Sequence, residues 1–443
     1  LQVFFRLHPR ARLGYRKRVD GNPDLVREIR REIDASGGRI TFVRFMELAL
    51  YHSRFGYYTA DKPEAHEAAR PAVAPYQQPD EIDAVGRAGP AHRPRIGKKG
   101  DFFTSVSVGP LFGKLLAKQF LNFREELGNP AEFEVVEFGG HRGQLRADVL
   151  AAAPDLRYRI IETGDSLPDS IVGCVFSNEF LDALPVHVVQ VKDGAWQEVY
   201  VRTASPSPEP SPPRGEGPAT TGERSRNHQP PPSPLRGEDQ EPVLGLPKDE
   251  RATNESPLPS GGEDKGEGAS LEEVLGPLST PRLADFLSDL PVQYMEGYRT
   301  EVNLHAMDWL ADVSGRLKHG WIVTIDYGYE RPEYFAPHHR DGTLLCYHQH
   351  TKSANPFAHV GEQDITAHVE FTSLIEYCKK LGLEPILFTD QSHYLLQIGE
   401  SEIAEIVERT AGQPSKERSA IQQLLHPEMM GRTFQVLVQR KAV

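Results

Sequence analysis

Glu137, Gly139, Gly140, His141 and Gly143 fall within the stretch FEVVEFGGHRGQL (133–145), where an apolar run leads into a glycine-rich turn and then an ADVLAAA helix. Open α/β sheets bind nucleotide-like ligands beyond the carboxyl ends of their strands, at a turn of this kind. Further polar groups stand at the ends of two other expected strands. Glu162 follows RYRII, and Asn178 with Glu179 follows GCVFS.

The spacing excludes a dinucleotide. Counting from Gly139, the third position is His141 and the sixth is Gln144, so two of the three glycines of G-x-G-x-x-G are missing. No GK[ST] occurs, which excludes a Walker loop. S-adenosylmethionine loops place an acid and then glycines at alternate positions. Glu137, Gly139 and Gly143 fit that pattern, with His141 in the place of a glycine. The chemistry agrees. This cofactor carries an ammonium and a sulfonium and no phosphate, so carboxylates attract it. Glu162 is expected to accept the ribose hydroxyls, as acids at that strand end do. Histidine tolerates a left-handed backbone better than most residues, so the turn is expected to survive at His141.

These residues need a parallel sheet to position them. Expected strands are 133–138, 157–162, 170–180 and GWIVTIDYG (320–328). Residues 186–201 alternate around Asp193-Gly194, a hairpin signal. Helices are expected at 24–34, 40–58, 281–290 and 302–317, and 99–127 reads as a turn followed by a long helix. Residues 364–399 read as helix, glycine, strand, turn and strand, and the C-terminus as a helix followed by an edge strand. The fold class is therefore α/β, a Rossmann-like sandwich around a mostly parallel sheet with helical N-terminal and inserted segments.

The 443-residue length allows one large or two modest domains. The expected organisation is a disordered or mis-started N-terminus (1–23), then an N-terminal helical region (24–130) with a flexible loop at 61–95. A first core half (131–202), an insertion (203–270), a helical insertion (271–319) and a second core half (320–443) follow. The insertion is rich in Pro, Ser, Gly and Glu and carries the near-copies SPPRGEG, SPLRGED and SPLPSGGED. Those copies have no apolar face to stack, so it reads as disordered. Six Arg or Lys and no acid in the first nineteen residues suit a transit peptide. The absence of a clear amphipathic helix favours a mis-assigned start. A net charge of −13 argues against a broad nucleic-acid or membrane surface. Three scattered cysteines fit a reducing compartment.

The ordered blocks FMELALYHSRFGYY, IGKKGDFFTSVSVGPLFG, VVEFGGHRGQL, RIIE, SNEFLDALPVHVV, TEVN, TIDYGY, RDGTLLCYHQH, HVGEQDITAHVEFTSL and QSHYLLQIG resemble the MidA family of class I methyltransferases. That family includes a mitochondrial complex I assembly factor described as a protein arginine methyltransferase. The resemblance implies S-adenosyl-L-methionine as cofactor. It places the GDFFTS turn near it, with Gly100, Asp101, Thr104 and Ser105, alongside Glu137 to Gly143, Glu162, Asn178 and Glu179. It implies a protein substrate, arginine first. Carboxylates must then hold a guanidinium, ideally in bidentate pairs. The candidates are Glu179, Asp182 and Glu301, with Asp326 and Asp364 behind them. Asp364 has a competing reading as a helix cap before Ile365-Thr366. His348 and His350 suit substrate contacts better than a metal, and no metal site is expected. A cytoplasmic bacterial location is expected, with a mitochondrial matrix as the alternative; a homodimer is one reading of the oligomeric state.

Three features depart from the family pattern. His141 replaces a glycine. Val106-Ser107 stand where Pro-Glu usually follow GDFxTS. Only seven residues separate RIIE from SIVGC, fewer than the dozen or so that a parallel crossover takes. These departures motivate an alternative, a non-catalytic assembly or binding protein that retains the fold.

Overall fold

The computed structural model describes residues 21–60, 104–204, 270–290, 295–349 and 351–442. Gly100, Asp101, His350, the 1–20 segment, the 61–95 loop and nearly all of the 203–270 insertion lie outside the described residues.

The site is carried by one large sheet. Its strands are β1 (Glu134–Phe138), β2 (Arg157–Ile161), β3 (Ile171–Asn178), β4 (Leu317–Tyr329), β5 (Glu384–Asp390) and β6 (Phe434–Lys441). The spatial order is β5-β6-β4-β3-β1-β2, with the short strand Val369–Glu370 added at the end of β4. The pairs β1–β2, β1–β3 and β3–β4 are parallel, and β6 runs antiparallel to both its neighbours. The chain steps from β1 to β2 on one side and then crosses to β3 on the other. The strand order therefore reverses at β1, which is where such sheets open a ligand crevice.

Side chains along each strand alternate between two apolar cores, as the period of two requires. Val135, Cys174, Phe176, Trp321 and Val323 join one core with helices Leu111–Glu126, Gln144–Ala152 and Gln391–Arg409. Val136, Phe138, Val175 and Ile322 join the other with helices Leu304–Arg316 and Phe371–Lys380. Both faces are covered, which explains the near-continuous burial of β3 and β4.

A second, antiparallel sheet holds Ile40–Thr41, His187–Lys192, Ala195–Thr203, Leu271–Gly276 and Arg299–Val302. The hairpin at Asp193-Gly194 forms as expected, with φ of 52° and 74°, the left-handed pair that a two-residue turn requires. Ala195–Thr203 then pairs with Leu271–Gly276, and Ala204 N–H donates to Ser270 O at 2.6 Å. Ala204 and Ser270 thus stand side by side at the ends of adjacent strands. A third sheet joins Leu345–His348, Thr351–Ser353 and Asp364–Thr366.

Several expectations are corrected. The 271–319 region contains strands Leu271–Gly276 and Arg299–Val302 beside its two helices. Residues 391–399 are helix, not strand: the Asp390 carboxylate caps it by accepting from His393 N–H at 2.9 Å. β6 is an interior strand, paired on both sides, and β5 is the edge. Asp364 begins a strand and caps no helix; Glu370 caps Phe371–Lys380 instead.

The short crossover is real. Nine residues (162–170) join β2 to β3 without a helix or strand. They must return along a five-residue strand, roughly 17 Å, and step across β1, roughly 10 Å. Nine extended residues reach roughly 30 Å, so the loop closes without a crossover helix.

Candidate functional site

A cavity of about 1010 Å³ opens at the carboxyl ends of β1, β2, β3 and β4. That is ample for a cofactor together with an acceptor group. Phe138, Gly139 and His141 line it from the end of β1, and Ile161 and Glu162 from the end of β2. The short crossover adds Thr163, Asp165 and Leu167, so the chain that replaces a helix forms a wall of the cavity. Asp165 also accepts from Glu162 N–H at 2.8 Å, which fixes the loop's first turn.

The glycine turn takes the expected left-handed path, with φ of 70° at Gly139, 47° at His141 and 71° at Gly143. A side chain on Gly139 would press on Phe180, whose ring lies 3.0 Å from the place of its Cβ. Gly140 and Gly143 shape the turn without lining the cavity. Glu137 does not face the cavity either. It shares the strand face of Val135, lies under Gly140 and accepts from Tyr158 Oη at 3.0 Å. Burial raises its pKa to about 7, opposed by the Tyr158 hydrogen bond.

Glu179 takes φ 52°, a left-handed conformation that costs energy for a residue with a side chain. Its N–H donates to Ile325 O at 2.9 Å. Its Oε1 accepts from Ser105 N–H at 3.2 Å and from Asn178 Nδ2 at 3.0 Å. The described end of the GDFFTS turn therefore reaches the end of β3, and Thr104 lines the cavity. Ser105 itself is buried, donating to Gln391 Oε1 at 3.0 Å. Burial raises Glu179 to about 8, against the hydrogen bonds from Ser105 and Asn178. The Asn178 Oδ1 atom is buried with no hydrogen-bond partner among the described residues, and Asn178 itself does not line the cavity.

The loop after Glu179 is shaped by Asp326. Its Oδ2 accepts from the N–H groups of Phe180 at 3.1 Å and Leu181 at 2.8 Å. Asp326 is fully buried and holds the turn; it does not line the cavity. Asp182, at the far side of that turn, does line it. Burial raises the Asp182 pKa well above its ordinary value, and the neighbouring Asp326 and Asp364 add to the rise.

Asp364 also lines the cavity and accepts from Tyr58 Oη at 2.8 Å. Tyr51 stacks on Tyr58 with ring centroids 5.5 Å apart and donates to Ala183 O at 3.0 Å. With Tyr327 and Tyr347 they face Glu179, Asp182 and Asp364 across one cavity. At its rim, His305 Nε2 lies 3.3 Å from Glu47 Oε1, which raises the histidine pKa. Glu47 and Tyr51 stand at i and i+4 on one face of the helix Phe42–Tyr51, a spacing that pairs them but does not show what they face. The contributions of Tyr327, Tyr347, Lys352 and His368 come from elements distant in sequence and carried no local signal.

Glu301 is not brought to this cavity. It is buried on Arg299–Val302, and its Oε2 accepts from Thr343 N–H at 2.9 Å and Thr343 Oγ1 at 3.0 Å. His348 is half-buried, stacked on His359 with centroids 4.0 Å apart, and lies outside the lining.

The arrangement can hold a cationic ligand in two adjoining ways. Glu162 with the glycine turn suits a ribose and its attached chain, and the acid–tyrosine wall suits a second cation. Comparison with known proteins agrees. A family model described as "Putative S-adenosyl-L-methionine-dependent methyltransferase" matches residues 161–389, more than half the chain. A Drosophila melanogaster relative named protein arginine methyltransferase NDUFAF7 homolog, mitochondrial, is 24% identical over 238 residues, covering 43% of this chain and 47% of the relative. The Rattus norvegicus protein arginine methyltransferase NDUFAF7 is 26% identical over 170 residues, 27% of this chain and 39% of its own. The chain thus spans less than half the length of these curated relatives. A crystal structure of a likely methyl transferase of the COG1565 superfamily from Burkholderia thailandensis, bound to S-adenosyl-homocysteine, shares the fold. It gives a TM-score of 0.68 at 24% identity, over 95% of this chain and 94% of that one. By the match of its family model, this chain belongs to the S-adenosyl-L-methionine-dependent methyltransferases of that family, and S-adenosyl-L-methionine is its cofactor.

Proposed function

We propose that the protein methylates an arginine guanidinium of a protein acceptor. The observation that carries this reading is the acid wall: Glu179, Asp182 and Asp364 line the same cavity as Gly139 and Glu162. Buried carboxylates are costly to keep unless something cationic meets them. A guanidinium, with five donors in a planar fork, matches a set of carboxylates better than an ammonium does. The names of the animal relatives point the same way.

In this reading the bound cofactor supplies an electrophilic methyl group. Glu162 holds the ribose hydroxyls, the turn from Gly139 to Gly143 lets the backbone approach closely, and Thr104 adds a polar contact. Asp182 and Asp364 hold the guanidinium flat, with Tyr58 fixing the Asp364 carboxylate. Glu179, tied by Ser105 and Asn178, stands between the two ends. Tyr51, Tyr327 and Phe180 exclude water, so that positioning provides most of the rate. The Asp182 carboxylate takes the proton that the acceptor nitrogen loses. The three cysteines are buried and free, which fits a reducing compartment such as a cytoplasm.

A non-catalytic protein that keeps the fold is the other reading. The short crossover motivated it, yet that loop lines the cavity and does not breach it. Labelled methyl transfer to arginine peptides, with lysine peptides as control, tests the proposal. Arginine labelling that Asp182→Asn reduces by about a hundredfold is expected. Cofactor binding without transfer to any peptide or protein fraction would favour the non-catalytic reading.

A further inference from the structure

A small second chamber, about 20 Å³, lies beside the main cavity, and His368 lines both. Glu301, Asn303, Tyr334, Glu370 and Ser373 complete its polar wall. Each of its two acids has one oxygen committed. Glu301 Oε2 takes the two hydrogen bonds from Thr343, and Glu370 Oε2 accepts from Ser373 N–H at 3.0 Å and from its hydroxyl. The other oxygens, Glu301 Oε1 and Glu370 Oε1, are buried without a hydrogen bond among the described residues, and so is His368 Nδ1. A space of this size admits one water, and a buried water needs two to four polar partners.

His368 is also tied to Glu301 by a second route. Its N–H donates to Thr343 Oγ1 at 3.1 Å, and that hydroxyl donates to Glu301 Oε2. The imidazole is held between Tyr327 and Tyr329, with ring centroids at 6.2 and 5.3 Å. Tyr334, Glu301 and Glu370 share its chamber, and His339 and Lys352 act on it from the cationic side. Burial, then His339 and Lys352, lowers its pKa to about 4, so the ring is neutral.

We propose that the chamber binds one water joining Glu301, Glu370 and His368, and that His368 relays to it the proton released by methyl transfer. This rests on the methyl-transfer reading above. As the N–C bond forms and the C–S bond breaks, the electron pair stays on sulfur and one N–H proton leaves the acceptor for Asp182. Neutral imidazole then takes that proton on one nitrogen and gives its own from the other, through the water, to a chamber carboxylate. The ring ends neutral and no co-reactant is needed. His368 is a positioning and relay residue here, since it acts through Asp182 and the water.

The test uses the full chain with His368→Phe, which keeps a ring and removes both nitrogens. At about pH 7, kcat on an arginine peptide should fall by at least about tenfold, with the loss shrinking toward about pH 9 as hydroxide replaces the relay. S-adenosyl-homocysteine affinity by calorimetry should stay within about twofold. Added imidazole should restore turnover to His368→Gly. Unchanged kcat, or an equal loss at every pH with weakened cofactor binding, would overturn the relay. If the unmodified protein transfers no methyl group at all, the underlying functional reading fails instead. The chamber is tested separately by a high-resolution crystal structure: a water between Glu301 and Glu370 supports it, and a dry chamber overturns it.

Discussion

Tyr158 donates its hydroxyl to Glu137 Oε2 at 3.0 Å, directly beneath Gly140 of the glycine turn. This pair supports the turn from below, with consequences for stability. Burial lifts the Glu137 pKa from 4.5 to about 7 despite the phenol. An acid whose folded pKa exceeds its unfolded value binds more protons when folded, so stability falls as pH rises between the two values and is flat above. The expected window runs from about 4.5 to about 7. Glu137→Gln keeps an acceptor for Tyr158 and has no charge to bury. It should be more stable than the parent by roughly 2–3 kcal/mol near pH 8 and equal to it near pH 4. Thermal melting across that range checks this; parallel curves for the two proteins would refute it.

Glu162 is expected to hold the cofactor ribose. Glu162→Ala should abolish the rise in melting temperature that S-adenosyl-L-methionine produces, while leaving the unliganded melting temperature within a few degrees, about the scale of one lost surface interaction. An undiminished shift would remove Glu162 from the ribose site.

His141 occupies a left-handed position with φ 47°. His141→Gly should bind S-adenosyl-homocysteine within about threefold of the parent, because glycine adopts that backbone freely. His141→Val should lose about 1–2 kcal/mol of stability, since a β-branched residue is strained there. Calorimetry and melting measure both. A large affinity loss in the glycine variant would show that the imidazole itself contacts the ligand.

Tyr58 fixes Asp364 through a 2.8 Å hydrogen bond. Tyr58→Phe should raise KM for an arginine peptide by about tenfold while cofactor affinity holds, because one guanidinium partner loses its orientation. Equal effects on cofactor and peptide would instead mean a general collapse of the wall.

The glycine-turn end of the cavity was legible because its signals are local. A strand, a glycine turn and acids at neighbouring strand ends are each written in a few residues. Glu137 stays off the cavity lining for a reason of parity: it shares a strand face with Val135, so its side chain enters the core beneath the turn. Glu301 stands just before an expected helix at 302–317, but it lies on the strand Arg299–Val302 of the antiparallel sheet, and no local feature announced that strand. The 391–399 segment reads as apolar enough for a strand, and only the Asp390 cap marks a helix start. The tyrosine wall was illegible, since Tyr51, Tyr58, Tyr327 and Tyr347 meet only after the sheets assemble. The short crossover looked like damage because the dozen-residue expectation assumes a helix, whereas a nine-residue loop without one suffices here.

The most direct test of the central claim is a crystal structure with S-adenosyl-homocysteine and an arginine-containing peptide bound together. The guanidinium is expected within hydrogen-bond distance of Asp182 and Asp364, with the ribose on Glu162. A peptide guanidinium bound elsewhere, with the acid wall facing only solvent, would contradict arginine as the acceptor.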